Sequence, residues 1–263
     1  MYNLFTKTIY DKRAFIIGWS IGLAFIGYLM TIFYPAFHQD NALDQLVESL
    51  PPALQGLVGN LNNLKELPTY LGSQLFDIRI PIFISILTII LASGLTVGEE
   101  EKGQLRTLIA LPLSRTRILL TKWITILVIC FVVTLATIAG IELGLAVIGE
   151  SLDWLVLVRL GGMMWLLAVT IATMIFSIGL STGKKGVTTG LGVLFTVGSF
   201  LLTTFATSVD WLQPYETVSL LHYFAATDIA KNAINIGDVL VYAGIIVVFL
   251  LIAVLSFRRR DVR

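Results

Sequence analysis

Six stretches of this chain stay apolar for about twenty residues each, the length an α-helix needs to cross a hydrocarbon layer about 30 Å thick. They run approximately from Ala14 to Tyr34, Ile80 to Val97, Ile118 to Ile148, Trp154 to Leu180, Val187 to Ala206 and Val239 to Phe257. Barrel strands would alternate apolar and polar residues over about ten positions, whereas these runs are continuously apolar for twice that length. Helices are therefore expected. The composition agrees: 56% of the 263 residues are hydrophobic, 13% are charged, and the mean hydropathy is +0.87. Such a chain needs lipid as its solvent. The expected fold is an all-α integral membrane protein with six transmembrane helices, formed as a single domain over residues 1–263.

The net charge of +1 names no partner, and nucleic acid is not expected to be one. The placement of the charges is informative, because basic residues near span ends resist translocation. With the N-terminus inside, the inner side holds Lys7, Lys12, Arg13, Lys102, Arg106, Arg115, Arg117, Lys122, Lys184, Lys185, Arg258, Arg259, Arg260 and Arg263, fourteen of the 18 basic residues. Only Lys65, Arg79, Arg159 and Lys231 fall outside, where most of the acids lie. Both termini are expected in the cytoplasm. No small-residue cleavage site follows the first apolar run, so that run is expected to remain as a span.

Between the spans the sequence is less uniform. Leu4, Phe5, Ile9 and Tyr10 can share one helical face with Lys7, Lys12 and Arg13 left polar, which predicts an amphipathic helix along the inner membrane surface. A frayed tail is the alternative. The third span, helical throughout, would measure about 46 Å and must tilt, break or project from the bilayer. His38 to Asp77 and Thr207 to Asp238 are too long for simple turns, and Tyr215 to Ile234 is compatible with a partly helical outer cap or re-entrant hairpin before span six.

The segment from Gly98 to Lys122 reads GEEEKGQLRTLIALPLSRTRILLTK and carries the most information. Glu99, Glu100 and Glu101 open it, Leu105, Leu108 and Ile109 recur at helical spacing, Pro112 ends the stretch, and Ser114 can cap the helix that follows. A short amphipathic helix and then a turn are predicted, with clustered acids, an apolar stripe and clustered bases at the cytoplasmic surface. A docking surface has this composition, and so does a solvated loop with positive anchors.

This segment resembles one in bacterial ABC exporter permeases of the antibiotic and multidrug export type, which carry a similar acidic-Lys-Gly run, Leu-rich sequence, Pro-x-Ser-Arg and Lys. The basic, Trp-containing stretch Asp11 to Trp19, the outer SLLHYF at Ser219 to Phe224 and the ending FRRRDV at Phe257 to Val262 extend the resemblance over the whole chain. It implies a pair of permeases, homodimer or heterodimer, in the bacterial inner membrane, each contacting a cytosolic ATPase that binds the ATP. No cofactor is then expected in this chain. The resemblance places an ATPase-coupling element at Glu99, Glu100, Glu101, Lys102, Gly103, Leu105, Arg106, Pro112, Ser114 and Arg115, although Gln104 and Arg106 stand where many relatives carry Thr and an acid.

Several other patterns resemble chemistry. Gly18-Trp19-Ser20-Ile21-Gly22 matches a nucleophile elbow, but that motif works at a strand-to-helix turn, and this copy lies inside a predicted helix. The only histidines, His38 and His222, fall in outer segments far from Ser20. Gly179 to Lys185, GLSTGKK, is one residue short of phosphate-loop spacing and follows no strand, so it reads as the turn between spans four and five. The chain is expected to be no enzyme. Cys130 lies in an apolar run and reads as a small core residue. Gly18/Gly22, Gly140/Gly144 and Gly186/Gly190 have the spacing that lets helix backbones approach, within one subunit or across a dimer seam. Glu142 is the sole carboxylate well inside a span and is a candidate for the translocation path or for a residue reaching to the outer surface.

The leading functional expectation is a permease subunit exporting a small amphipathic, drug-like, peptide or lipid substrate with ATP hydrolysed by a partner. An ion-coupled secondary transporter and a non-transporting membrane anchor or assembly subunit are the alternatives.

Overall fold

The fold is that of a computed structural model, which describes residues 2–38, 66–109, 113–206, 209 and 211–260. Among these the regular elements are all helical. Six helices are long and apolar enough to cross a membrane: span 1 (Arg13–Ala36), span 2 (Leu67–Glu101), span 3 (Arg115–Ile148), span 4 (Trp154–Thr182), span 5 (Lys185–Ala206) and span 6 (Ile236–Arg259). The N-terminal residues form a separate helix, Tyr2–Asp11, which packs on span 3.

Burial sorts the spans into layers. Span 4 is the pillar, 83% buried in its apolar window, with span 2 beside it at 72%, whereas spans 1, 5 and 6 are buried over only 17%, 17% and 11%. Lipid tails are as apolar as leucine, so close packing, rather than water exclusion, draws such helices together. Spans 1 and 3 show this directly. Gly140 lies against the backbone of Ala24, Gly144 against Thr31 and the carbonyl of Tyr28, and Gly27 against Thr137 and Ile141. Two indole N–H groups then tie span 3 to span 4: Trp123 donates to Thr173 Oγ1 at 2.9 Å and Trp165 to the Leu127 carbonyl at 3.1 Å.

Span 3 is unbroken from Arg115 to Ile148 and ends at Gly149, whose φ of +73° is the left-handed conformation that closes a helix. Span 2 begins at Leu67, well before the sequence boundary at Ile80, so the described part of the expected outer segment is a continuation of the helix. Its first turns include a π-helical stretch, Leu71–Arg79. The polar residues that hide this extension in the sequence find partners inside the protein. Tyr70 donates to the Met30 carbonyl at 2.9 Å, and Arg79 donates to the carbonyl of Gln74. Residues 39–65, the rest of that segment, lie outside the described residues.

A small cap closes the end of the bundle opposite the termini. It comprises two 3₁₀ turns, Gln213–Val218 and Leu220–Tyr223, and the helix Ala226–Lys231. The partly helical segment expected before span 6 is thus present. Ser219 donates to the Ser199 carbonyl at 2.8 Å, and Tyr242 donates to the Leu220 carbonyl at 2.7 Å, pinning the SLLHYF stretch onto spans 5 and 6. Asp77 of span 2 accepts from the Ala226 N–H at 2.8 Å and from Thr227 Oγ1 at 2.7 Å, so it caps a helix remote in sequence. Carboxylates at helix N-termini pair with exposed N–H groups and the positive end of the dipole. Asp77→Ala is expected to destabilise the cap by about 1–2 kcal/mol, seen as faster hydrogen exchange across Ala226–Lys231 while span 4 keeps its protection. Unchanged exchange there would contradict this.

Candidate functional site

The connection between spans 2 and 3 lies at the end of the bundle shared by Lys12 and Arg260. Its geometry starts at Thr96, whose φ of −115° and ψ of −95° break the helix after Leu95. One turn follows, Val97–Glu101, and then Gly103 with φ +71°, so the connection divides into two short helices where the sequence predicts one. Only glycine takes that φ without a Cβ penalty, and the run of helix formers on either side cannot override it. The second helix, Gln104–Ile109, buries Leu105 completely and leaves Gln104 and Thr107 exposed. Pro112 and the side chain of Arg106 lie outside the described residues. Ser114 caps span 3 as expected, its Oγ accepting the Arg117 N–H at 3.3 Å.

The three consecutive glutamates each reach a different span. Glu99 pairs with Lys122 on span 3, an ammonium only 2% exposed that also donates to the Leu95 carbonyl at 3.0 Å. That second bond supplies a donor where the break at Thr96 interrupts the helix. Glu100 pairs with Arg260 beyond span 6, and Arg260 also donates to the Leu180 carbonyl at 2.9 Å. Glu101 pairs with Lys185 at the start of span 5 at 3.3 Å, with both side chains exposed. Arg115 completes the set, donating to the Phe257 and Arg260 carbonyls at 3.1 and 2.6 Å. The Glu99 and Glu100 carboxylates thus point into the protein, at 15% and 10% exposure, and the surface of this region is made by Glu101, Lys102, Gln104 and Thr107.

Energetically the pairs are unequal. The exposed Glu101–Lys185 pair is worth less than about 1 kcal/mol. The Glu99–Lys122 and Glu100–Arg260 pairs are enclosed, where removing one partner costs far more because the other charge stays behind. Gly183, with φ +61°, makes the turn between spans 4 and 5 directly under the Arg260 guanidinium, where a Cβ would have no room. The GLSTGKK stretch is accordingly a helix end, a turn and a helix start.

Lys122, Lys185 and Arg260 are the residues that sequence reasoning left without individual roles. The signal was an acidic run facing basic span ends, but nothing local assigns one carboxylate to one cation. Glu142 lies apart from this region, exposed toward the far end of span 3 beside Leu143 at 64%. The structure therefore does not bring it to the Glu99–Arg115 cluster. Ser20 is inside the span 1 helix, and His222 pairs with Glu216 at 3.1 Å in the cap.

Comparison with known proteins adds two findings. A 204-residue stretch is 27% identical to an uncharacterized protein, YhcI, of Bacillus subtilis (strain 168), covering 69% of this chain and 65% of that one. The chain thus matches just under two thirds of that relative's length. The family model described as ABC-2 family transporter protein matches residues 5–262, from the N-terminal helix through all six spans to the basic C-terminus. This multi-pass membrane chain belongs to the ABC-2 family of transporter proteins.

Proposed function

We propose that the chain is the membrane permease subunit of an ATP-driven exporter, with both termini in the cytoplasm of a bacterial cell and with ATP bound by a separate cytosolic ATPase. The observation that carries the reading is the three-way fastening of Glu99, Glu100 and Glu101 to spans 3, 6 and 5. A push on the exposed face of Gln104–Ile109 would be passed to spans 3 and 6 through the enclosed Glu99–Lys122 and Glu100–Arg260 pairs, with the exposed Glu101–Lys185 pair adding a weaker link to span 5, because enclosed pairs and packed helices transmit displacement rather than absorb it. The family supports this reading, since a permease needs such a handle and a freely solvated loop would not provide one.

Span 5 supports pairing with a second permease. It is the least apolar of the six spans yet as exposed as span 1, and Gly186, Gly190 and Gly198 have nothing within 4 Å of a Cβ position. Span 6, barer still, is the most apolar and suits lipid. A bare glycine- and threonine-bearing helix is better matched to a second copy, or to a pore wall for an amphipathic substrate, than to acyl chains.

The test uses co-expression with a cytosolic ABC ATPase subunit from the same organism, followed by detergent pull-down and ATP-dependent transport in reconstituted vesicles. Gln104→Arg with Thr107→Arg changes only exposed positions and is expected to lower ATPase recovery at least about tenfold, a difference of about 1.4 kcal/mol, while leaving the thermal transition of the permease unchanged. Full recovery with undiminished transport would overturn the docking assignment. Transport that needs no ATPase and collapses with the ion gradient would favour a secondary transporter instead.

A further inference from the structure

A cleft of about 730 Å³ opens at the same end of the bundle, bounded by the N-terminal helix, the last turns of span 2, the span 2–3 connection and the start of span 5. Four lysines line it, Lys7, Lys12, Lys102 and Lys185, together with the acids Asp11, Glu99 and Glu101. Pairing decides what charge remains. Glu99 is neutralised by Lys122 and Glu101 by Lys185. The ammonium groups of Lys7, Lys12 and Lys102 have no ion-pair or hydrogen-bond partner among the described residues, and Asp11 is the one lining carboxylate that no ion pair already neutralises among them.

Lys12 is the best placed of the three. Its Nζ extends over Gly94 of span 2, where a Cβ would stand only 3.3 Å away, so the glycine leaves space for the ammonium at the cleft wall. Burial there holds Lys12 below its ordinary proton affinity, Glu99 and Asp11 partly opposing and Lys102 adding to the effect. An anion beside it would offset the cost of desolvation and the repulsion from Lys102 by direct attraction.

The span 2 wall turns apolar beyond Gly94 and Ser93. Ile90 lines the cleft, and Ile86 and Ile82 follow it up the same face of span 2, exposed at 49%, 43% and 40%. Residues four apart on a helix share a face, so these three form a continuous stripe leading from the charged mouth along the span. A ligand matching both parts has an anionic head and a hydrocarbon tail.

We propose that this cleft is a binding site for an acidic phospholipid, its phosphate between Lys12, Lys7 and Lys102 and one acyl chain along Ile90, Ile86 and Ile82. The site stands on its own geometry and does not depend on ATP-driven export. Such a lipid would brace the N-terminal helix against the span 2–3 connection.

The test compares spin-labelled phosphatidylglycerol with spin-labelled phosphatidylcholine on the purified chain in phosphatidylcholine nanodiscs, with the ratio of association constants as the readout. A lysine near a lipid surface contributes roughly fivefold to binding of an anionic headgroup. Lys7→Gln and Lys12→Gln are each expected to lower the ratio about fivefold. Lys184→Gln, an exposed lysine at the same end that does not line the cleft, should leave it unchanged. Unaltered elution and thermal transitions show that the variants are folded. A ratio that survives the Lys7→Gln/Lys12→Gln double variant, or that falls equally with Lys184→Gln, overturns the site. Loss of the preference in excess inorganic phosphate at fixed ionic strength assigns the cleft to a free anion and overturns the lipid.

Discussion

Lys122→Met is expected to destabilise the purified chain by about 3 kcal/mol, and adding Glu99→Gln is expected to restore most of that loss. Methionine keeps the length of the buried stem, so packing around span 3 changes little and the effect isolates the ammonium. Without it, the Glu99 carboxylate is left 15% exposed with no counter-ion in contact, and the Leu95 carbonyl at the Thr96 break loses its 3.0 Å donor. An unpaired enclosed charge costs several kcal/mol, whereas a neutral amide beside methionine costs only the imperfect hydrogen bonding that remains. The measurement is a denaturant or thermal transition in detergent for the two single variants and the double. A single Lys122→Met variant as stable as wild type would show that Glu99 is hydrated rather than held. A double variant no better than the single would show that the stem, and not the charge, matters.

Gly140→Leu should be at least as damaging, about 3 kcal/mol, because overpacking at a backbone contact cannot be relieved by a rotamer change. The missing Cβ of Gly140 faces the carbonyl and Cα of Ala24, so any larger residue must move span 1 as a rigid rod. Gly144 and Gly27 sit in the same seam and would be separated with it. Gly190→Leu is the matched control. Nothing lies within 4 Å of its Cβ position, and replacing a helix-interior glycine improves helix propensity by up to about 1 kcal/mol. The isolated chain should therefore keep its thermal transition with Gly190→Leu, while a two-permease assembly should fall apart if span 5 is the seam. Cross-linking in membranes reads the second outcome. Equal stability of Gly140→Leu and wild type would refute the packing described for spans 1 and 3, and an intact pair with Gly190→Leu would move the seam elsewhere.

These two glycines also show why the glycine pairs could not be sorted from sequence. Gly18/Gly22, Gly140/Gly144 and Gly186/Gly190 have identical spacing, yet only Gly140/Gly144 meets another helix within the chain. Spacing establishes that a helix has a flat face, and a neighbour decides whether that face is used. The start of span 2 was obscured for a related reason. Tyr70, Gln74, Asp77 and Arg79 lower the local hydropathy, and only the folded chain supplies Met30, Ala226 and Thr227 as partners that let polar side chains occupy a buried helix.

What the amino-acid order determined alone was the helical membrane architecture, because an apolar run of about twenty residues is a local sum and needs no knowledge of neighbours. The Ser114 cap was local too and equally legible, whereas the connection read as one short helix and its division at Gly103 emerged only in the structure. The destination of each glutamate was decided only by tertiary structure. Glu99, Glu100 and Glu101 are chemically alike and adjacent, but their partners lie 23, 160 and 84 residues away. The helical turn aims each carboxylate in a different direction, and packing of spans 3, 6 and 5 around that turn sets which cation it meets.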